Sequence, residues 1–171
     1  MNGRLAVLRY GLGTLLGVSA LIGTAQAFAA SDAHFIKEAA GDLSFEIKAG
    51  QIAQHNASSE LVKLLGYRIA TDHQEEVGPL HQIALDENLK WPSMSSKDQA
   101  ELGRLSKLHG HAFDTAYVNL MIKDHEGDIP EYLDEVKNGR DPAAKQFASR
   151  ALKVLQTHLS LAEQAQSRLG K

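Results

Sequence analysis

The sequence predicts an all-α protein, a bundle of four helices that follows a cleavable signal peptide. From Ser31 onward, apolar residues recur at intervals of three and four, as they do along the buried face of a helix. No stretch alternates polar and apolar residues for long enough to indicate a strand. Capping residues, glycines and prolines divide this region into four segments, and amphipathic helices of such length bury their apolar faces as a bundle.

The first 27 residues have the three parts of a secretory signal peptide. Arg4 and Arg9 precede an apolar run over 11–22, and the Ala-Gln-Ala of 25–27 supplies the small residues that signal peptidase requires. We therefore expect residues 1–27 to be removed and residues 28–171 to form the mature domain in the periplasm or outside the cell. The chain has no cysteine, which excludes disulfide bonds, thiolate metal sites, thiol nucleophiles and a lipid-anchoring cysteine.

Charge and composition exclude some classes of partner. The segment 1–27 holds two of the 18 basic residues and none of the 21 acidic ones, so the mature domain is more acidic than the whole chain, whose formal charge is −3. Such a surface is a poor match for nucleic acid or anionic lipid. We expect no strong membrane contact after processing, and a second copy of the chain or another envelope protein as partner.

The first half of the domain predicts two helices. Helix A covers 32–55, with Ser31 or Asp32 as its cap, and helix B begins near Ser59. Gly78 and Pro79 should kink or end helix B. The residues predicted to face inward are Phe35, Ala39, Leu43, Ile47 and Gly50 on helix A, and Leu61, Leu65, Ile69 and Val77 on helix B.

The second half predicts one long helix C and a helix D. Helix C begins at Ser95 or Ser96 and continues toward Asn138, with Pro130 bending or stopping it near its end. Asp141 and Pro142 form a cap and first position for helix D. If helix B ends at Pro79, about 17 residues remain to cross over and helices B and C run parallel. If helix B continues, a short loop makes them antiparallel.

Each predicted helix places an ionisable side chain on its apolar stripe. These residues are Glu46 on helix A, His73 on helix B, His125 on helix C and His158 on helix D. Glu76 lies three residues after His73, so both side chains could reach one ion, while Asp42 is a rival to Glu46 on helix A. A buried charge without a partner costs several kcal/mol, so such groups persist only when paired, hydrogen-bonded or bound to a cation.

Two interpretations of these residues remain open. Histidines with a carboxylate and no thiolate suit a single transition-metal ion, such as zinc, iron or copper, and the candidate ligands are Glu46, His73, Glu76, His125 and His158. Alternatively, Asp72 or Glu46 pairs with His125 or His158, Arg68 neutralises an acid, and the resulting salt-bridge network fixes the helices without an ion. The protein would then act as a structural or interaction protein of the envelope.

The remaining polar residues give no sign of catalysis. We find no activated serine, no thiol and no phosphate-binding glycine loop, so no catalytic motif is present and a role other than catalysis is favoured. Asp114 and Tyr117 are predicted to pair as a buried hydroxyl with its acceptor. The histidines predicted to lie at the surface are His34, His55, His81, His109 and His111.

Several short motifs, taken together, resemble one bacterial family. They are Phe35 with Glu46 and Gly50, Asp72-His73, Phe113-Asp114 with Tyr117, Asp124-His125, Phe147-Ala148 and His158-Leu159. With them, the run 32–169 resembles the family called domain of unknown function 4142, often labelled an outer-membrane protein. The resemblance implies a ferritin-like bundle in the cell envelope and brings no established activity. Ferritin-like di-iron proteins use Glu-x-x-His motifs, which this chain lacks, so a histidine-rich site for one ion is the expected metal variant.

Overall fold

The computed structural model describes residues 19–170, with side chains described from Asp32 onward. Within these residues the protein is all-α, with five helices and no strand. The helices are α1 (Ser19–Asn56), α2 (Glu60–Asp86), α3 (Ser96–Leu105), α4 (Gly110–Asn138) and α5 (Pro142–Leu169). Residues 1–18 of the predicted signal peptide lie outside the described residues and 19–27 belong to α1, so processing stays a prediction.

The first helix begins earlier than the capping pattern predicts. It already includes Ser19, the first described residue, well before Ser31 or Asp32, because 19–31 is rich in alanine, the strongest helix former, and contains no proline. Asp32 is therefore not the cap of its own helix. Its buried carboxylate accepts hydrogen bonds from the backbone N–H groups of Arg140 and Asp141, at distances between 2.9 and 3.2 Å.

Two buried aspartates define how the helices run relative to one another. Asp32, on α1, binds the turn between α4 and α5. Asp114, near the start of α4, accepts three hydrogen bonds from Ser58 and Ser59 in the turn between α1 and α2. Consequently α1 and α2 form one antiparallel hairpin, α4 and α5 form another, and α2 runs parallel to α4. The segment 87–109, which includes α3, crosses the length of the molecule to connect the hairpins.

One predicted helix is wrong, and the structure decides where another helix ends. The predicted helix C is two helices, α3 and α4, because Gly110 adopts a φ of +63°, a left-handed conformation that glycine takes without strain. Conversely, α2 continues through Pro79 to Asp86. The crossover therefore begins after Asp86, and α2 and α4 run parallel even though helix B does not end at Pro79.

The apolar core is divided into two clusters. One includes Phe35, Leu80, Tyr132 and Phe147, and the other includes Ile69, Val62, Phe113 and Tyr117. Along each long helix, the polar residues of the predicted site fall between members of the two clusters. The prediction for Leu61 is wrong, because this side chain is 38% exposed and the neighbouring Val62 is buried instead.

The two helices of the first hairpin approach closely at Gly50 and Gly66. A Cβ atom on Gly66 would lie 2.5 Å from the Cβ of Ala53 and 2.8 Å from the carbonyl oxygen of Gly50. Only glycine permits this separation of the two backbones. The close contact defines the register of α1 against α2, and this register brings Glu46 beside His73.

Candidate metal centre

Three buried histidines meet in the polar layer between the two apolar clusters. His73 on α2, His125 on α4 and His158 on α5 are each no more than 2% exposed. One ring nitrogen from each residue lies within 4.8 Å of those from the other two. Nitrogens bound tetrahedrally to one zinc ion lie about 3.4 Å apart, so small side-chain movements would bring all three to bonding distance.

The second ring nitrogen of each histidine faces an oxygen that can only accept a hydrogen bond. His73 Nδ1 lies 2.9 Å from Glu76 Oε2, and His125 Nδ1 lies 2.9 Å from the carbonyl oxygen of Met121. His158 Nε2 lies 3.0 Å from Asp72 Oδ2. These three nitrogens must therefore be the N–H donors. In the neutral rings, the lone pairs are then on His73 Nε2, His125 Nε2 and His158 Nδ1.

The lone-pair nitrogens face each other and a buried carboxylate. His125 Nε2 and His158 Nδ1 are 3.3 Å apart, and two lone pairs at this distance repel unless a proton or a cation lies between them. His73 Nε2 contacts Glu46 Oε2 as an ion pair without hydrogen-bond geometry. Glu46 is 2% exposed, and its Oε1 has no hydrogen-bond partner, although it lies 3.4 Å from His125 Nδ1. The centre thus holds donor atoms with unused lone pairs.

In the polar layer, the pKa values of Glu46, His73 and His158 are shifted by burial and by the charges of their neighbours. Burial raises the pKa of Glu46, but the charges of His125 and His73 outweigh burial and lower it. Burial lowers the pKa of His73, but the charge and hydrogen bond of Glu46 outweigh it and raise that pKa. Burial and the charge of His73 lower the pKa of His158 to about 4, against the hydrogen bond to Asp72. Without metal, the neutral-pH protein therefore contains a Glu46 carboxylate, a His73 imidazolium and a neutral His158.

The other predicted site residues take different positions. Glu76 binds His73 Nδ1, so it orients the ring rather than joining the convergent nitrogens. Asp72 orients His158 and is itself bound by Arg68 Nε at 2.5 Å, as the salt-bridge interpretation predicts. Asp42 does not contact the histidines and instead lines a cleft beside the centre.

The predicted pair of Asp114 and Tyr117 is wrong. Asp114 binds the turn between α1 and α2, where backbone N–H groups compete for its oxygens, and the buried hydroxyl of Tyr117 has no hydrogen-bond partner. The five histidines predicted to lie at the surface are all exposed. Sequence reasoning missed the Met121 carbonyl as an acceptor, although it lies four residues before His125 on one helix, the spacing at which a side chain reaches a preceding carbonyl.

Fold and site together define a helical protein with a buried cluster of histidines and carboxylates. The chain belongs to the family DUF4142, a domain of unknown function, whose match covers residues 19–165. It is similar to a crystal structure from Streptomyces coelicolor described as a secreted protein DUF305, with 19% identity and a TM-score of 0.71 over 82% of this chain and 94% of that chain. At this identity the likeness shows the fold alone.

No functionally curated protein matches the chain. Among the described residues, none of the helices has the length and apolar character needed to span a lipid bilayer.

Proposed function

We propose that this protein is an exported helical bundle that binds one transition-metal ion through His73, His125, His158 and Glu46. The orientation of the three imidazoles carries the proposal. Histidines that bind a metal almost always donate their other N–H group to a carboxylate or a backbone carbonyl. All three rings have such an acceptor, and one ring nitrogen of each lies within 4.8 Å of those of the other two. Glu46, which contacts His73, keeps one oxygen without a hydrogen-bond partner.

The donor set favours a particular class of metal. Three imidazole nitrogens and one carboxylate, without thiolate, suit zinc, iron(II) or copper(II) better than calcium or magnesium, which prefer oxygen ligands. Glu76 and Asp72 hold the rings in place. With one carboxylate among the ligands, the set favours a single ion over a carboxylate-bridged pair. The proposed role is therefore to bind and hold a single metal ion.

Connectivity supports a ferritin-like assignment, and the first residues support export. Two antiparallel helix hairpins joined by one long crossover are the arrangement of ferritin-like four-helix bundles, with α3 as an addition within the crossover. A periplasmic or secreted location is supported by the signal-peptide pattern of residues 1–27 and by the secreted description of the DUF305 protein of similar fold.

A metal-free role is the second candidate, and one set of contacts favours it. Glu46 and Glu76 both contact His73, and Asp72 contacts both His158 and Arg68. Such a network could fix the packing of the helices without any ion and leave the protein as an envelope scaffold.

Metal analysis distinguishes the two candidates. Protein prepared without an affinity tag is incubated with zinc, copper(II) or iron(II), freed of unbound metal and measured for metal per chain. We expect about one ion per wild-type chain and a large loss in the double variant His73→Ala, His125→Ala. The matched control, His81→Ala with His111→Ala, removes two exposed histidines and should retain the ion.

Thermal unfolding gives an independent readout. A ligand present at a hundred times its dissociation constant stabilises the folded state by about 2.7 kcal/mol, and a chelator should reverse this gain. The metal proposal is overturned if no metal raises the melting temperature of the wild type and the histidine double variant holds as much metal as the wild type.

A further inference from the structure

An acidic cleft leads from the surface to the histidine centre. It lies between α1, α3 and α4, has a volume of about 630 Å³, and is lined by seven carboxylic acids and three basic side chains. One of the basic residues, Arg104, is already held by Glu101 at 2.5 Å. The lining therefore carries an excess of negative charge.

Glu46 belongs both to this cleft and to the histidine centre. Its side chain lines the cleft, yet it is only 2% exposed, and Oε2 contacts His73. Oε1 has no hydrogen-bond partner. A buried carboxylate oxygen with a free lone pair thus connects the cleft with the convergent imidazoles.

The acids beside Glu46 repel one another. Burial raises the pKa of Asp42 to about 8 and that of Asp128 to about 9, and the negative charge of Glu46 is the next cause in both cases. The charges of Asp42 and Asp124 raise the pKa of Asp128 further. At neutral pH Asp42 and Asp128 therefore both hold a proton, and a cation in the cleft would take the place of these protons.

The opposite side of the centre is less suited to cations. A groove of about 370 Å³ between α2 and α5 is lined by three carboxylic acids and by two arginines, Arg68 and Arg150. Its acids thus outnumber its basic residues by one, against four in the cleft. Arg68 is bound to Asp72, the residue that holds His158. A cation approaching from this side would meet two guanidinium groups before reaching the histidines.

We propose that the cleft between α1, α3 and α4 is the vestibule through which a hydrated divalent cation reaches the histidine centre, with Glu46 as the carboxylate that passes it to the imidazoles. This inference rests on the proposed metal-binding function. A water molecule occupies roughly 30 Å³ in the liquid, so an ion with six waters fits within the cleft. Clefts lined by one sign of charge concentrate counter-ions and accelerate association by about 10-fold to 1,000-fold.

The test measures the rate of metal uptake separately from its extent. Metal-free protein is mixed with Co²⁺ at low ionic strength, and the visible absorption of the bound ion is followed with time. The double variant Asp98→Asn, Glu131→Gln keeps every proposed ligand and removes two carboxyls that line the cleft. Its control, Glu75→Gln with Glu163→Gln, removes two exposed carboxyls from α2 and α5, so the net charge changes equally.

We expect the cleft variant to take up Co²⁺ at least about tenfold more slowly, to the same final amount, while the control matches the wild type. Added salt should slow the wild type more than the cleft variant. Equal rates with complete uptake, or equal slowing in the control, would overturn the vestibule and leave the metal centre intact. If the wild type takes up no Co²⁺, zinc or copper at any time, the metal centre itself is wrong and the vestibule with it.

Discussion

Replacing Asp128 by asparagine should stabilise the protein, and the gain should grow with pH. Burial, together with the charges of Glu46, Asp42 and Asp124, raises the pKa of Asp128 from 3.8 to about 9. Between these two values the folded protein binds a proton that the unfolded chain has lost, so ionisation of the unfolded chain opposes folding. The penalty is absent below about pH 4, grows as the pH rises and levels off above about pH 9.

The size of the effect follows from the size of the shift. Each pH unit within this interval destabilises the folded state by at most about 1.4 kcal/mol, which gives a ceiling of about 4 kcal/mol at pH 7. Asp42 and Asp124 share the same electrostatic field and water reaches the cleft, so we expect a gain of about 1 to 2 kcal/mol at pH 7.

Urea unfolding, followed by circular dichroism at several pH values between about 5 and 8, measures this gain. Glu126→Gln is the control, because it replaces an exposed carboxyl on the same helix by an amide and should change stability by less than about 0.5 kcal/mol. If the difference between Asp128→Asn and wild type does not increase with pH, the reasoning about uncompensated charge in the cleft is refuted.

Three further predictions concern the hairpins and the centre. Gly66→Ala should lower the free energy of unfolding by about 2 kcal/mol, because the new Cβ would collide with α1. The control, Gly78→Ala on the same helix, places its Cβ more than 4 Å from any described atom outside its own helix and should be neutral or stabilising by up to about 1 kcal/mol. Equal effects of the two substitutions in urea unfolding would contradict this prediction. Asp114→Ala should lower the free energy of unfolding by roughly 3 kcal/mol, because the turn between α1 and α2 loses the acceptor of three hydrogen bonds. A loss of less than about 0.5 kcal/mol would show that water replaces the carboxylate. The pKa of His73 is raised, so a proton competes with metal for its Nε2. The apparent affinity for zinc, measured by competition with a chelator, should therefore weaken as the pH falls. An affinity that does not depend on pH would exclude His73 as a ligand.

The helices could largely be predicted from local signals, since caps and breakers act within one turn. Asp141 and Pro142 start α5 as predicted, and Ser95 caps α3 by accepting a hydrogen bond from the N–H of Asp98. The break before α4 could not be predicted in the same way. Leucines at 102, 105 and 108 continue the helical spacing, and only the three-dimensional path of the crossover requires a left-handed Gly110.

The residues of the candidate site could be predicted because a charged side chain on an apolar stripe needs a partner. Their relative positions along the axis of the bundle could not be predicted. In a hairpin, residues equally far from the turn face each other, so a turn centred on Ala57 would place His73 opposite Gly41. In the structure the turn lies at 57–59 and Gly50 packs against Gly66, which brings His73 to Glu46 instead. The acidic cleft could not be predicted either, since it depends on where α3 packs.

The reciprocal anchoring by Asp32 and Asp114 has a consequence for the cooperativity of folding. The bend after α1 relies on a hydrogen-bond acceptor, Asp114, that lies 56 residues after Ser58 in the chain. The bend before α5 likewise relies on an acceptor from the beginning of the chain. Neither bend therefore has all its hydrogen bonds until the two hairpins pack together, so we expect the hairpins to fold and unfold as one unit.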